Sequence, residues 1–322
     1  MHRILIIGAG QLGSRHLQAL SSVANPLTID VIDPNGDSLA IAKERFEAMP
    51  NNHSHSIQYH TEIPGHLTVD IAIIASGAKV RRKIIEQLLA SNSVKYFILE
   101  KILFSSREDY EAVGKLLNAH HASAWVNCCM RMMPAYSKIQ TIFNNKSIHY
   151  SVTGSQYGLI TNAIHYLDHA AWLSGCTEFT LNTDFLDVDT QASKRPGYLE
   201  LSGTLLAQYK NGSLAKLHAS KQGSAPVQIE INSDENRFIS HEWQQRAWHA
   251  SASQEWKWEE CEAKIPFQSE MTSQVVSDLI KTGQCPLTPF SESAAIHLQL
   301  LEPLKLFLQK QGITSEVEYP FT

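Results

Sequence analysis

The sequence predicts an α/β protein in two parts, a doubly wound parallel sheet followed by an α+β domain built on antiparallel strands. Three observations carry this. A chain of 322 residues exceeds what one hydrophobic core usually organises. Its first third alternates short apolar runs with helical patterns around "IIGAGQLGSRHLQAL". From about Glu178 the pattern becomes strand after strand, with a hairpin signal at Asn211-Gly212.

In order, "HRILIIG" reads as a buried strand, "LGSRHLQALSSV" as a helix with Leu12, Leu17 and Leu20 inward, and "LTIDVID" as a second strand ending in Asp33. Gly8, Gly10 and Gly13 fit G-x-G-x-x-G. That spacing serves a tight turn, close backbone approach to a pyrophosphate, and close helix-on-strand packing. Asp33 follows Gly13 by 33 − 13 = 20 residues, where a carboxylate would hold ribose hydroxyls. The reading is therefore a dinucleotide site, with the pyrophosphate on the amides of Gly10, Gln11, Leu12 and Gly13 at the helix start. NAD(H) is expected over NADP(H), because Asp33 would face a 2′-phosphate and "DPNGD" holds no Arg or Lys.

The runs "VDIAIIAS" and "KYFILEK" extend the parallel sheet and alternate with the helices "RRKIIEQLLASN" and "REDYEAVGKLLNAH". Ligands of such sheets lie outside the carboxyl ends of the strands, so Ser76, Glu100 and Lys101 fall on the cofactor-facing rim. The grammar changes near residues 120–124, which predicts domains at 1–122 and 123–322. In "TNAIHYLDHAAWLSG", Thr161 or Asn162 can cap a helix and Gly175 can end it. Ile164, Leu167 and Ala171 mark its buried stripe, while His165, Asp168 and Trp172 share another face. A His in the first helical turn is disfavoured as the cation, which suits a general base. "HYLDH" also approaches the H-x-x-E-H of inverted zinc peptidases, but it has no third ligand and a shortened acid, so no metal is expected. Near the C-terminus, "SESAAIHLQLLEPLKLFLQ" is a last amphipathic helix that Pro303 should bend or break.

A formal charge of −5 without a basic stripe disfavours nucleic acid. No apolar run is long enough for a membrane span or a signal-peptide core. Five cysteines without C-x-x-C spacing fit a reducing cytoplasm, which makes the sequons at Asn52, Asn145 and Asn211 chance matches.

The order "GAGQLGSRH", "LEK", "NCCMRMMP" and "NAIHYLD" resembles the family of glucose-fructose oxidoreductase, inositol dehydrogenase and MocA, over nearly the whole chain. The resemblance implies a Rossmann domain, then a domain with an open, mostly antiparallel sheet. It also implies hydride transfer between NAD(P) and a hydroxyl or keto group of sugars, cyclitols or their derivatives. The family's E-K-P falls on Glu100, Lys101 and Ile102, and its D-x-x-x-H-D-x-D falls on Thr161, His165, Tyr166 and Asp168. Ile102 replaces Pro, Thr161 replaces an acid, and Arg81 stands where a His often follows the fourth strand.

On this reading Lys101 stabilises alkoxide character on the reacting oxygen. His165 moves the hydroxyl proton, and Asp168 orients His165 or grips a neighbouring hydroxyl. Lys194, Arg195 and Tyr198 of "KRPGY", with Arg131 and Asn162, are the expected substrate contacts. They favour a nucleotide-activated or otherwise anionic sugar over a free sugar or cyclitol. The rival from another class is a non-catalytic protein that senses NAD(H) or a sugar. In "LELSGTLLAQY", Leu199, Leu201, Gly203 and Leu205 alternate onto one face, with Leu206 on the other. An apolar sheet face left uncovered is expected to build a homodimer or homotetramer, as the resemblance also implies.

Overall fold

The computed structural model describes residues 1–50, 55–193, 195–314 and 318–322, apart from the side chain of Ser269. The expected contact Lys194 and the Asn52 sequon lie outside the described residues. In chain order the elements begin with β1 (His2–Ile7), α1 (Gln11–Leu20), β2 (Leu27–Ile32), α2 (Gly36–Glu47), β3 (Ser56–His60) and β4 (Thr68–Ile74). They continue with α3 (Ala78–Ser91), β5 (Ser93–Leu99), α4 (Arg107–Ala119), β6 (Ser123–Val126), α5 (Pro134–Phe143), β7 (His149–Ser155) and α6 (Leu159–Ser174). Next come β8 (Phe179–Leu186), β9 (Gln191–Ala192), β10 (Leu199–Glu200), β11 (Gly203–Tyr209), β12 (Leu214–Ser220) and β13 (Gln228–Asn232). The chain closes with β14 (Asn236–His241), β15 (Arg246–Ser251), β16 (Glu259–Glu262), α7 (Gln268–Thr282), β17 (Thr288–Pro289) and α8 (Phe290–Lys310).

Two compact units result: Met1–Asn127 with Pro266–Ser291, and Cys128–Ile265 with Glu292–Thr322. The return of Pro266–Ser291 to the first unit departs from a single crossing after residue 122. It follows from α7 packing on α1 and from β17 pairing antiparallel with β6.

The first unit holds a seven-stranded sheet in the order β17-β6-β5-β4-β1-β2-β3, parallel except for β17. Strands covered on both faces read as unbroken apolar runs, and Ile4, Leu5, Ile6, Ile71, Ala72, Ile73 and Phe97 have no exposed surface. The order reverses between β1 and β4, which opens a crevice at their carboxyl ends.

The second unit carries an eight-stranded sheet, β16-β15-β14-β13-β7-β12-β11-β8, in which only β7 and β12 pair in parallel. Its inner face, with Tyr150, Val152, Leu205, Ala207, Leu217, Ile229, Ile231 and Phe238, is buried, and Tyr209 reaches α6 by donating its hydroxyl to the Leu167 carbonyl at 3.0 Å. The other face alternates Ser151, Thr153, Thr204, Lys216, His218 and Glu230 with Leu206, Ile239 and Trp248. The expectation of an apolar uncovered face is thereby corrected, since hydroxyl, amine and carboxylate groups interrupt its apolar residues. Nor do Leu199 and Leu205 share one strand: β10 pairs with β9, and β11 starts afresh at Gly203.

Two local expectations also change. The Asn211-Gly212 hairpin is not a type I′ turn, because only Gly212 has positive φ (85°) while the Gly212 amide donates to the Tyr209 carbonyl at 3.0 Å. This is a three-residue loop whose left-handed position falls on the glycine. Helix α8 runs on through Pro303, held by buried Leu300, Leu301, Leu304 and Leu308, so one lost backbone hydrogen bond does not end it. Among the described residues no helix is long and apolar enough to cross a membrane.

Candidate functional site

In the first unit β1 ends in a turn that only glycine can build. Gly8 sits at φ 97°, and its amide donates to the Ile32 carbonyl at 2.8 Å. A Cβ on Gly13 would lie 1.7 Å from the Gly8 carbonyl oxygen, so the third glycine lets α1 press against the turn. A Cβ on Gly10 would meet nothing within 4 Å, and Gly10 is the N-cap of α1 with no side chain bonded over the helix end. No side chain of the unit thus caps the start of α1, which leaves its first amides for an incoming phosphate.

Asp33 closes the cradle. Its Oδ2 accepts from the Ala9 amide at 2.7 Å and its Oδ1 from the Asn35 amide at 2.9 Å, which ties the end of β2 to the glycine turn. Ser76, beyond β4, has a buried Oγ with no hydrogen-bond partner, a polar group at the crevice rim for a ligand to satisfy. The Gln11 side chain is taken by Arg45, whose Nη1 donates to Gln11 Oε1 at 3.0 Å and to Ser14 Oγ at 2.6 Å. Only the Gln11 backbone is therefore placed for a phosphate. These residues fit NAD: a glycine-built phosphate cradle, a carboxylate at the second strand and an unfilled hydroxyl share one strand-end rim.

Lys101 follows β5 on that rim and is half-buried, with a cis peptide bond to Ile102. Glu100, expected to touch cofactor, is instead turned inward. His16 Nε2 lies 2.9 Å from its Oε1, and Asn127 Nδ2 donates to the same oxygen at 2.6 Å. Burial pushes the Glu100 carboxyl up, but the hydrogen bond and charge of His16, then Asn127 and Arg81, bring it down to about 2. Arg81 is 1% exposed and donates to the carbonyls of Ile102 (2.6 Å), Leu103 and Ser76. Arg81 stands out in the sequence only as a departure from the family pattern, and nothing in the local pattern marks the roles of His16, Arg45 or Asn127, whose partners lie far off in the chain.

In the second unit α6 starts at Leu159, two residues before Thr161, with Gly158 at φ 79° as N-cap. The capping group comes from β10. Glu200 accepts from the Ile160 amide at 2.6 Å, the Thr161 amide at 3.2 Å and the Thr161 hydroxyl at 2.8 Å. The capping expectation for Thr161 and Asn162 is corrected accordingly, and Gly175 does end the helix in the left-handed conformation. His165 consequently lies in the second turn, where a helix dipole is weak, and a carboxylate already occupies the helix start. The dipole argument for a neutral His165 therefore falls away.

His165 and Trp172 are half-buried on one side of α6, and Asp168 between them is 0% exposed. Asp168 is held by a fork: Arg131 Nε donates to its Oδ2 and Arg131 Nη2 to its Oδ1, both at 2.9 Å. Arg131 Nη2 also meets Glu292 Oε1 at 2.5 Å, and its guanidinium lies 6.0 Å from the Trp172 ring. Burial lowers the Arg131 pKa, but Asp168 and Glu292 outweigh it and hold the guanidinium charged. Two expectations change: Arg131 is a buried partner of Asp168 instead of a substrate contact, and the Asp168 carboxylate is committed to Arg131. Asn162 donates to the carbonyls of Tyr157 (2.6 Å) and Gly158 (3.1 Å), so its amide serves the loop before α6.

His169, which the zinc reading would pair with His165, faces the core among Tyr136, Tyr150 and Trp172. Its Nδ1 is 2.9 Å from the Tyr150 hydroxyl, and its Nε2 is buried without a hydrogen bond. Burial, helped by the Arg131 charge, lowers its pKa to about 3. Arg195 lies exposed at the Pro196-Gly197 turn between β9 and β10 and donates to Thr322 Oγ1 at 3.0 Å, and Tyr198 is half-buried.

By sequence, residues 2–128 match the model of the Gfo/Idh/MocA oxidoreductase family, NAD-binding Rossmann fold. No curated protein matches the chain. Among solved structures, an oxidoreductase from Agrobacterium radiobacter in complex with NAD+, L-tartaric acid and magnesium is similar at 16% identity and TM-score 0.71, over 93% of this chain and 94% of that one. UDP-N-acetylglucosamine 3-dehydrogenase GnnA from Acidithiobacillus ferrooxidans is similar at 14% identity and TM-score 0.71, over 98% and 99%. A super-repressor mutant of Gal80p from Saccharomyces cerevisiae is similar at 13% identity and TM-score 0.70, over 96% of each chain. At such identities the likeness is one of fold. With the glycine cradle and Asp33 in place, residues 2–128 belong to the NAD-binding Rossmann domains of the Gfo/Idh/MocA oxidoreductase family, on a chain that shares its whole fold with these proteins.

Proposed function

We propose that this chain is an NAD-dependent dehydrogenase acting on a hydroxyl or keto carbon of a sugar derivative, with a nucleotide-activated or otherwise anionic sugar as the first substrate class. The observation that carries the reading is topological: the uncapped Gly10 helix end, Asp33 and Lys101 follow the carboxyl ends of β1, β2 and β5, parallel strands of one sheet. A cradle alone would serve binding, and an ammonium on the same rim adds chemistry. NAD, when bound, supplies the hydride acceptor or donor. Lys101 hydrogen-bonds the reacting oxygen and stabilises its developing charge, and His165 takes or returns the hydroxyl proton. Asp168, locked to Arg131, acts as a fixed anion on α6.

The likeness to a UDP-sugar dehydrogenase and exposed Arg195 support the anionic substrate, and a free sugar or cyclitol is the alternative. A homodimer or homotetramer through the outer face of the eight-stranded sheet belongs to the same reading, supported by Leu206, Ile239 and Trp248 on that face. A second reading, a non-catalytic NAD(H) or sugar sensor, draws on the likeness in fold to a super-repressor mutant of Gal80p.

Turnover separates the two. Purified protein with NADH and a panel of keto sugars, nucleotide-linked ones included, should consume the reduced-nicotinamide absorbance. Lys101→Met and His165→Ala should each slow this at least about a hundredfold while leaving NADH affinity within a few fold. Absorbance that never decays with any sugar, while NADH binds, would establish the sensor.

A further inference from the structure

Two buried clamps grip the residues on either side of Lys101, one through the Glu100 side chain and the other through the backbone carbonyls of Ile102 and Leu103. On the N-terminal side, five polar side chains close a ring. His16 Nε2 meets Glu100 Oε1 at 2.9 Å, and Asn127 Nδ2 donates to that oxygen at 2.6 Å and to Gln268 Oε1 at 3.1 Å. Gln268 Nε2 donates to Thr272 Oγ1 at 3.0 Å, and Thr272 Oγ1 lies 2.8 Å from His16 Nδ1. The ring joins α1, the ends of β5 and β6, and α7, and His16, Glu100, Asn127 and Thr272 are all buried. On the C-terminal side, the Arg81 guanidinium from α3 donates to the Ile102 and Leu103 carbonyls and also to the Ser76 carbonyl beyond β4.

Stability alone does not account for this arrangement. A buried ion is costly to desolvate, and apolar residues of similar volume often serve a core as well or better. Here the buried guanidinium and carboxylate are spent on residues 100, 102 and 103, which flank Lys101. A flexible four-carbon side chain delivers its ammonium only as well as its Cα is held, and a misplacement of about 1 Å can cost a hundredfold in rate. We propose that Arg81 and the His16–Glu100 pair are positioning residues for Lys101, holding its backbone from both sides so that the ammonium meets the reacting oxygen. Arg81, tied to both the Ser76 and the Ile102 segments, also sets the distance between the β4 and β5 rims. This inference rests on the dehydrogenase reading for its kinetic consequence, but its structural content can be read without a substrate.

The test uses the full chain with Arg81→Met, Arg81→Lys, His16→Leu and Lys101→Met. Reductive ¹³C-methylation makes each lysine visible by NMR, and the resonance absent from Lys101→Met identifies Lys101. Arg81→Met and His16→Leu should shift or broaden that resonance while the other lysines stay in place. They should also lower kcat on the best substrate of the sugar panel by roughly tenfold to a hundredfold, with the NADH Kd changed less than about threefold. Arg81→Lys, which keeps a buried donor, should recover part of both. If Arg81→Met does not fold, His16→Leu and Arg81→Lys carry the test. An unmoved Lys101 resonance with wild-type kcat in a folded variant overturns the proposal, as does a fall in NADH affinity parallel to kcat. Turnover that survives Lys101→Met counts against the dehydrogenase role of Lys101, and the Lys101 resonance then decides the clamps by itself.

Discussion

Helices α1 and α6 each begin after a glycine with amide donors that have no acceptor within the helix, yet the two ends are used in opposite ways. At α1 the N-cap Gly10 brings no side chain, and a Cβ there would meet empty space, so the end is open to an anion from outside. At α6 the Glu200 carboxylate accepts from two amides and the Thr161 hydroxyl, so the same physical demand is met from within the unit. An orphaned helix end is a ligand site only where the fold withholds its own acceptor. The ionic groups follow the same division. Asp33 is half-buried on a rim, whereas Asp168 is sealed beneath Arg131.

The comparison is broken most severely by removing Arg131. Arg131→Met should destabilise the protein by about 3–5 kcal/mol, because it removes the two-pronged cationic partner of the buried Asp168 carboxylate. Urea denaturation measures this. A loss below about 1 kcal/mol would show Asp168 to be far better solvated than its burial implies. In contrast, Asp33→Ser should cost less stability, about 1–2 kcal/mol for the weakened bonds to the Ala9 and Asn35 amides, and alter cofactor choice. Two unit charges about 4 Å apart repel by roughly 4 kcal/mol at an effective dielectric of 20, and exposure halves this to about 2 kcal/mol. Wild-type protein should therefore bind NADH about thirtyfold tighter than NADPH, and Asp33→Ser should erase most of that gap in calorimetry.

His169 sharpens the contrast through pH. Its folded pKa, about 3, lies below the unfolded value of 6.5, so between these values the unfolded chain binds the extra proton. The contribution of neutral His169 is complete above pH 6.5 and is lost as pH falls toward 3, at up to about 1.4 kcal/mol per pH unit. Denaturation midpoints of His169→Phe should fall less steeply with acid than those of the wild type; parallel slopes would contradict the burial argument. The smallest effect is expected at Arg195, exposed on a turn. Arg195→Ala should weaken a phosphorylated substrate by about threefold to tenfold, the range of one net hydrogen bond, and leave a neutral polyol unaffected in kcat/KM.

What could be read along the chain depended on the range of the interaction. The Gly8, Gly10, Gly13 and Asp33 spacing was legible because its elements adjoin in the chain and one βαβ unit brings them together. The segment Pro266–Ser291 was not, because nothing in "PFQSEMTSQVVSDLIKTG" says which unit its helix will cover. Arg131 and Glu100 were misassigned for the same reason: each lay near a motif, and each was turned inward by a partner distant in the chain.

The hydrophobic periods, the glycine turn and the change from βαβ to antiparallel grammar were determined by the sequence alone, since each is a property of neighbouring residues and of backbone geometry. Only the tertiary structure decided which charges are buried and with whom. Arg131 finds Asp168 at a separation of 37 residues and Glu292 at 161, and Glu100 finds His16 at 84. Desolvation makes such pairings obligatory once groups are buried, but the pattern along the chain does not say which groups will meet.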